Sequence, residues 1–81
     1  MKIKYFAWLK DYTSKDFEIC SDPNITNVEN LKKFLLIKYP KLEKFINEDL
    51  LRFAVNYNYV SENISLNAED EIAIFPPVSG G

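Results

Sequence analysis

Histidine is absent from this 81-residue sequence, and cysteine occurs once, as Cys20. Histidine is the commonest general base and the commonest metal ligand in proteins. Its absence argues against a self-contained hydrolase and a zinc site, so we expect the chain to bind no metal. A single cysteine cannot form an internal disulfide, and a lone thiol is typical of a reducing compartment. We therefore expect a cytoplasmic protein.

Long apolar runs and dense positive charge are also lacking. No stretch approaches the roughly 20 apolar residues of a transmembrane helix, and the first residues lack the apolar core of a signal peptide. The net charge is −2, whereas nucleic-acid binding needs a dense basic surface. We expect neither a membrane nor a nucleic acid as a partner.

The composition that is present indicates one folded domain. Hydrophobic residues make up 47% of the chain and aromatic residues 15%. Disordered chains combine low hydrophobicity with high net charge, and this chain has neither. Its length lies near the lower limit at which one core stabilises a fold. We expect a domain over residues 1–75 and a flexible tail over residues 76–81.

Alternation of apolar and polar residues predicts a first strand over residues 2–10. One side of this strand carries lysines together with Phe6 and Trp8. If a helix covers the other side of the sheet, these two aromatic residues lie on the open face. Phe75 has the same parity as Ala73 in the last strand and is expected on that face too.

The second strand is predicted over residues 16–20, after a hairpin turn at residues 11–15. Its alternation suggests that Phe17 and Ile19 face inward and that Cys20 faces outward. No base or cluster of cations lies near Cys20 in the sequence to activate its thiol, which disfavours a role in sulfur relay.

A helix is predicted over residues 27–38, where apolar residues recur at helical spacing. Thr26 and Glu29 have the spacing of a capping box, although Asn27 could also cap the helix. Pro40 ends the run.

Two more strands are predicted, at residues 51–57 and 72–75. In the former, Phe53, Val55 and Tyr57 share one face.

The remaining segments are less regular. Residues 41–50 fit either a short second helix or a packed loop that could cover some of the open-face aromatics, and residues 61–70 form a connection pinned by Ile64 and Leu66. The order β-β-α-β-β implies an α+β fold, a mixed sheet with one main helix packed on one face. A hairpin, a crossover helix and a strand that returns beside the first make the ubiquitin-like β-grasp arrangement.

The last six residues carry no charged side chain and include the only two glycines of the chain: Pro76, Pro77, Val78, Ser79, Gly80 and Gly81. The prolines stiffen the exit from the sheet. Six residues reach up to about 20 Å, and an uncharged, glycine-ended segment enters a narrow pocket at little desolvation cost. The group delivered there is the α-carboxylate of Gly81, which must be activated, as by adenylation, before it can carry sulfur. A frayed end or a cloning remnant is the alternative explanation.

This ending, preceded by residues 70–73, resembles that of the small-subunit family of molybdopterin synthases, which are ubiquitin-like sulfur carriers. The match extends to residues 54–56 and 6–7, so the resemblance spans the whole chain. The turn at residues 67–70 departs from the family pattern because it lacks a glycine beside the aspartate.

The resemblance implies a pathway for sulfur. An E1-like adenylyltransferase would use ATP to adenylate Gly81, and a sulfur donor would convert the adenylate to a thiocarboxylate. The tail would then enter the large synthase subunit, where sulfur passes to cyclic pyranopterin monophosphate and forms the molybdopterin dithiolene. The carrier would bind no cofactor itself and would not be catalytic alone. Phe6, Tyr59 and Phe75 match positions that the family uses against its partners.

Three alternatives stay open. A sulfur carrier for thiamine synthesis or tRNA thiolation shares the fold and the Gly-Gly end, but not the residues that precede it. A protein modifier would join Gly81 to lysines through the same activated carboxylate. A plain interaction domain would have an incidental tail.

Overall fold

A computed structural model describes residues 1–77. Five strands form one mixed sheet: β1 (Lys2–Tyr5), β2 (Phe17–Ile19), β3 (Arg52–Val55), β4 (Asn58–Val60) and β5 (Glu71–Phe75). Their order across the sheet is β2-β1-β5-β3-β4; β1 and β5 are parallel, and the other neighbours are antiparallel. The main helix, α2 (Val28–Lys38), packs on one face of the sheet. The expected α+β architecture is confirmed.

The core lies between α2 and that face of the sheet. The helix contributes Val28, Leu31 and Leu35, which recur at the spacing of one helical side. The strands contribute alternate residues: Ile3, Tyr5, Phe53, Val55, Ile72 and Ile74. Full burial of a side chain of this size contributes about 1.5–3 kcal/mol, so these few residues account for much of the stability of so small a domain.

The cap of α2 is Asn27, the second of the two possibilities that the sequence offered. Its side-chain oxygen accepts a hydrogen bond from the Asn30 N–H at 2.8 Å. The side chain of Asn30 reaches back in turn, and its oxygen accepts from the Thr26 hydroxyl at 2.9 Å. The helix ends at Lys38, before Pro40, as predicted.

The first predicted strand is too long, because β1 ends at Tyr5. A 3₁₀ turn follows at Ala7–Leu9 and leads into a one-turn helix, α1 (Lys10–Thr13), where the sequence predicted first strand and then hairpin turn. Buried side chains also recur four residues apart in this part of the chain, at the apolar Tyr5 and Leu9 and at the polar Thr13. Such short apolar runs fit strand and helix equally well.

The facing of the second strand was predicted wrongly. The register pairs Ile3 with Glu18, and directly opposite residues share a face, so Glu18 turns into the core. Phe17 and Ile19 therefore point outward and are 51% and 65% exposed. By the same parity Cys20 is buried, not exposed. A one-residue error in register moves every side chain of a strand to the opposite face.

Glu18 is a buried carboxylate with a complete set of partners. It accepts a hydrogen bond from the Tyr5 hydroxyl at 2.6 Å, and further bonds from the Tyr39 hydroxyl and the Lys38 ammonium. Burial raises the pKa of Glu18, but the bonds from Lys38, Tyr39 and Tyr5 outweigh it and hold that pKa below its ordinary value. Burial and the adjacent carboxylate raise the pKa of Tyr39 to about 12.

The sequence patterns did not predict β4, which forms one edge of the sheet. Asn56 and Tyr57 form a two-residue turn with φ of 49° and 72°, and Val55 pairs with Asn58 across it. Positive φ at both positions is the geometry of a tight hairpin, for which Asn-Gly is the usual signal. Tyrosine in place of the glycine hid the turn and made the third strand look longer. Tyr57 is exposed and does not share the buried face of Phe53 and Val55, contrary to the predicted alternation.

Residues 41–50 hold the short helix that was one of two predicted possibilities. A 3₁₀ turn at Pro40–Leu42 leads into α3 (Glu43–Asn47), and Leu42 is buried. In the connection before β5, Leu66 is buried and Ile64 packs against the core, as predicted. Among the described residues, no helix is long and apolar enough to cross a membrane.

We predict that Glu18→Gln lowers the free energy of unfolding at pH 7 by about 1–3 kcal/mol. An amide has one acceptor oxygen and cannot accept all three bonds, of which the bond from Tyr5 is buried and those from Tyr39 and Lys38 are partly buried. The depressed pKa of Glu18 means that its contribution is complete well above pH 4.5, the ordinary value, and is lost as the pH falls below it. Urea unfolding of both proteins should therefore show their difference shrinking as the pH falls below 4.5. Exposed Glu62→Gln is the matched control and should change little at any pH. A difference that stays constant as the pH falls would contradict the assignment.

Candidate functional site

The face of the sheet opposite α2 is shaped by the pairing of β3 with β5. Ala54 lies opposite Ala73, and Arg52 lies opposite Phe75, so two alanines sit side by side at the centre of this open face. Alanine side chains are short, and larger neighbours therefore stand above them. The result is a depression above the two alanines, bounded by the side chains that surround them.

Three aromatic residues stand at one side of this depression. The rings of Phe6 and Phe75 stack with centroids 4.7 Å apart, and Tyr59 packs against Phe75 at 5.6 Å. Phe6 is 38% exposed and Tyr59 is 73% exposed. The structure thus brings together the three residues that the resemblance assigned to partner contacts; their role in docking stays a prediction.

Trp8 does not join this group. It belongs to the 3₁₀ turn after β1, and its ring packs on Phe45 of α3 at 5.2 Å and on Tyr12 at 5.7 Å. The segment at residues 41–50 therefore covers part of Trp8, as in the alternative that the sequence left open, and the rest of the side chain stays accessible.

We call the depression the aromatic dish. It has a volume of about 180 Å³ and is lined by Lys4, Phe6, Ala54, Tyr57, Tyr59, Glu71, Ala73 and Phe75. Its floor is alanine, its walls are aromatic, and its charged rim is an ion pair, with Lys4 Nζ 3.3 Å from Glu71 Oε1. Hydrogen bonds from Tyr57 and Lys4 hold the pKa of Glu71 below its ordinary value, so this rim carboxylate is ionised at neutral pH.

A polar clamp fixes the turn that carries Tyr57. The Asn56 amide donates to Asp70 Oδ1 at 2.9 Å, and its oxygen accepts from the Glu71 N–H at 2.9 Å. Asp70 also accepts from the Asn67 N–H at 2.7 Å, which closes the glycine-free turn before β5. The motifs at residues 54–56 and 70–73 are thus joined in space, and their polar members position backbone.

The tail begins beside the dish. Pro76 and Pro77 follow β5 directly and are half-buried. They line a cleft of about 350 Å³ together with Ala7, Trp8, Arg52, Tyr59 and Phe75. Tyr59 and Phe75 border both cavities, so the dish and the root of the tail form one continuous surface. The predicted site residues Val78, Ser79, Gly80 and Gly81 lie outside the described residues.

Other features of the chain lie away from this surface. Cys20 is buried, and its N–H donates to the carbonyl of Met1 at 2.8 Å. A wider groove of about 600 Å³ lies between α2, α3 and the β3–β4 hairpin, where Lys32 bridges Glu29 and Asp49. Within residues 1–77, no cluster of three or more potential metal ligands is found.

Sequence reasoning missed Tyr57 and Arg52 as members of this surface. Strand alternation predicted that Tyr57 shares a face with Phe53 and Val55, and it predicted no role for Arg52. The signal available for Tyr57 was Asn56 itself, because asparagine tolerates positive φ and marks tight turns. No feature of the sequence placed Arg52 at the root of the tail.

Comparison with known proteins gives the same assignment as the sequence motifs. The ThiS family model matches residues 3–81. The molybdopterin synthase sulfur carrier subunit of Dictyostelium discoideum is 40% identical over 83 residues, with 99% of this chain and 94% of the relative covered.

Solved structures share the fold. A protein from Pyrococcus furiosus assigned to subunit 1 of the molybdopterin converting factor matches with a TM-score of 0.80 and 28% identity, over 95% of each chain. Small archaeal modifier protein 1 from Methanosarcina acetivorans matches with a TM-score of 0.77 and 28% identity, over 99% of this chain and 94% of that one. The ubiquitin-like β-grasp fold is thereby confirmed, and the chain belongs to the ThiS family.

Proposed function

We propose that this chain is the sulfur carrier subunit of a molybdopterin synthase and that Gly81 carries the sulfur on its α-carboxyl group. The proposal rests on one observation: β5, which ends at Phe75, continues directly into Pro76 and Pro77. The strand at the centre of the sheet leads directly from the aromatic dish into the tail. A partner that binds the dish would receive the tail at the same place. The name of the relative from Dictyostelium discoideum supports the same role.

The chemistry proposed for Gly81 needs no catalytic side chain from the carrier. An E1-like adenylyltransferase binds ATP, and the carboxylate attacks the α-phosphorus, releasing pyrophosphate and forming an acyl-adenylate. The terminal sulfur of a donor persulfide then attacks the acyl carbon, and AMP leaves. A thiol cleaves the S–S bond of this acyl disulfide, so the donor sulfur departs as a disulfide with that thiol. The resulting thiocarboxylate sulfur attacks a carbon of cyclic pyranopterin monophosphate and displaces an oxygen substituent. Water then hydrolyses the acyl–sulfur bond, which leaves the sulfur on the pterin and returns Gly81 to a carboxylate. Two such transfers complete the dithiolene. No cofactor is proposed for the chain itself.

The large synthase subunit is the proposed docking partner. A rigid aromatic group beside a shallow apolar depression is the kind of surface that contributes most of the binding energy in protein interfaces. In Phe6, Tyr59 and Phe75 the chain offers this group already packed in the free protein. Little side-chain entropy is then lost on docking.

A protein modifier is the second candidate, because the modifier from Methanosarcina acetivorans shares the fold over nearly the whole chain. A sulfur carrier and a protein modifier both start from the same activated carboxylate of Gly81. They differ in what happens to the acyl group afterwards. Transfer to lysine leaves an isopeptide, and transfer of sulfur leaves the free carrier. Recovery of covalent conjugates of this chain on a denaturing gel would favour the modifier.

The central prediction concerns Gly81. Incubation with ATP, the activating enzyme and a sulfur donor should replace one C-terminal carboxyl oxygen by sulfur, measured as a change in intact mass. Deletion of Gly81 should abolish this change while leaving thermal unfolding as in the unaltered chain. One residue added after Gly81 should be nearly as harmful, because it displaces the carboxylate by about 3.5 Å.

The control for this experiment is Cys20→Ser, which should accept sulfur normally. Sulfur on the truncated carrier, or its loss from Cys20→Ser, would refute the proposal.

A second prediction concerns docking. Phe75→Arg places a charge in the wall of the aromatic dish and should weaken binding to the large subunit by about tenfold to a hundredfold, measured by titration calorimetry. Phe6→Arg should act similarly through the stacked ring. The matched control is Ile37→Arg, since Ile37 is 82% exposed on α2, on the far side of the sheet. Equal binding by all three variants would remove the dish from the interface.

The third prediction concerns assembly. Two carriers are expected to flank a dimer of the large subunit, so light scattering of the mixed proteins should give the mass of a heterotetramer. Separate components throughout the micromolar range would contradict this arrangement.

A further inference from the structure

Tyr57 occupies a backbone position that suits glycine. It is the second residue of the two-residue turn between β3 and β4, where its φ is 72° and that of Asn56 is 49°. Turns of this kind favour Asn-Gly, because a side chain at positive φ crowds the following carbonyl. Asn56 suits its place and is clamped by Asp70. Tyr57 makes the same turn less favourable than glycine would.

Burial within the free chain does not offset this strain, because Tyr57 is 85% exposed. Its hydroxyl supports the ionised state of Glu71, but an interaction from so exposed a hydroxyl to a carboxylate at the rim of the dish contributes little to stability. A large apolar ring is thus held in water at a position where a smaller residue would fold better. Strain of this kind persists at functional sites, where the side chain serves a second purpose.

The location of the ring indicates that purpose. Tyr57 lines the aromatic dish together with Phe6, Tyr59 and Phe75. Ala7, which follows Phe6, is also at positive φ, 53°, so left-handed residues stand next to the dish at two separate points of the chain. Tyrosine suits a docking wall because its ring is rigid and its hydroxyl tolerates a wet rim.

We propose that Tyr57 is a specificity-determining docking residue that, with the other aromatic residues, encloses one apolar side chain of the partner. The alanine floor and the volume of about 180 Å³ fit a single apolar side chain, up to the size of a phenyl ring. The strain of the turn is then compensated in the complex and not in the free carrier. This inference rests on the proposed docking of the carrier to the large synthase subunit and adds the chemistry of the group that enters the dish.

The test pairs stability with binding. Tyr57→Gly should relieve the strain and raise the midpoint of thermal unfolding by about 2–5 °C, yet weaken binding to the large subunit by about tenfold. The matched control is Ser14→Gly. Ser14 is an exposed residue with φ of 63° at the end of α1, and it does not line the dish. This control should show the rise in midpoint with unchanged binding. Tyr57→Asn, which removes the ring but tolerates the turn, should bind as weakly as Tyr57→Gly.

Replacement of a residue with a purely structural role would not raise stability and lower affinity at the same time. Binding by Tyr57→Gly and Tyr57→Asn equal to that of the unaltered chain would overturn the proposal, and so would a lower unfolding midpoint for Tyr57→Gly. Phe75→Arg in the same titration separates the two levels of inference. If it binds fully, docking through the dish is wrong; if it fails while the Tyr57 variants bind, only the role of Tyr57 is wrong.

Discussion

Strand β5 lies between β1 and β3 and forms backbone ladders on both of its edges. It is parallel to β1, the strand farthest from it in sequence, and antiparallel to β3. Ile72 and Ile74 are almost fully buried beneath α2, which fixes the rotation of the strand about its own axis. Once that rotation is fixed, Ala73 and Phe75 must face the open side. The floor of the dish, one of its walls and the starting point of the tail all follow from this placement.

The two faces of the sheet differ in which side chains they bury and which they expose to solvent. The covered face buries apolar side chains and one carboxylate, Glu18, which is tolerated because two tyrosines and Lys38 satisfy it. The open face leaves aromatic rings in water and keeps a tyrosine in a strained turn. In a domain of this size, with little stability to spare, such exposed groups are costly in the free chain. Their arrangement around one depression is consistent with a surface that is completed by another protein.

The division of labour proposed here follows from what the chain carries. It has no histidine, and its thiol is buried away from the dish. The carrier would therefore contribute a reactive terminus and a docking surface, while activation, sulfur supply and transfer depend on other proteins. In such a system the geometry that matters is the distance from docking surface to terminal carboxyl group. That distance is set by the number of residues after Phe75.

The fold class and the candidate sulfur-bearing residue could be read from the sequence, because both rest on local signals. Helical periodicity with an N-cap located α2, alternation located β5, and the two final glycines marked the tail. The alternation around Phe17 and Ile19 fits either orientation of the second strand. Only the pairing of this strand with β1 decides which of its side chains are buried. Likewise, residues 6–13 fit a strand or a helical turn until the burial of Leu9 and Thr13 selects the latter.

The amino-acid sequence by itself determined the helix, the order of the main elements and the chemical character of the tail, since each depends on neighbours a few residues away. The tertiary structure alone decided that Glu18 is a core residue, that Trp8 packs against α3, and that Tyr57 joins Phe6, Tyr59 and Phe75 around one dish. These facts depend on strand register and on contacts between residues far apart in the chain. A shift of one residue in that register would preserve every local pattern and reverse the face on which each side chain lies.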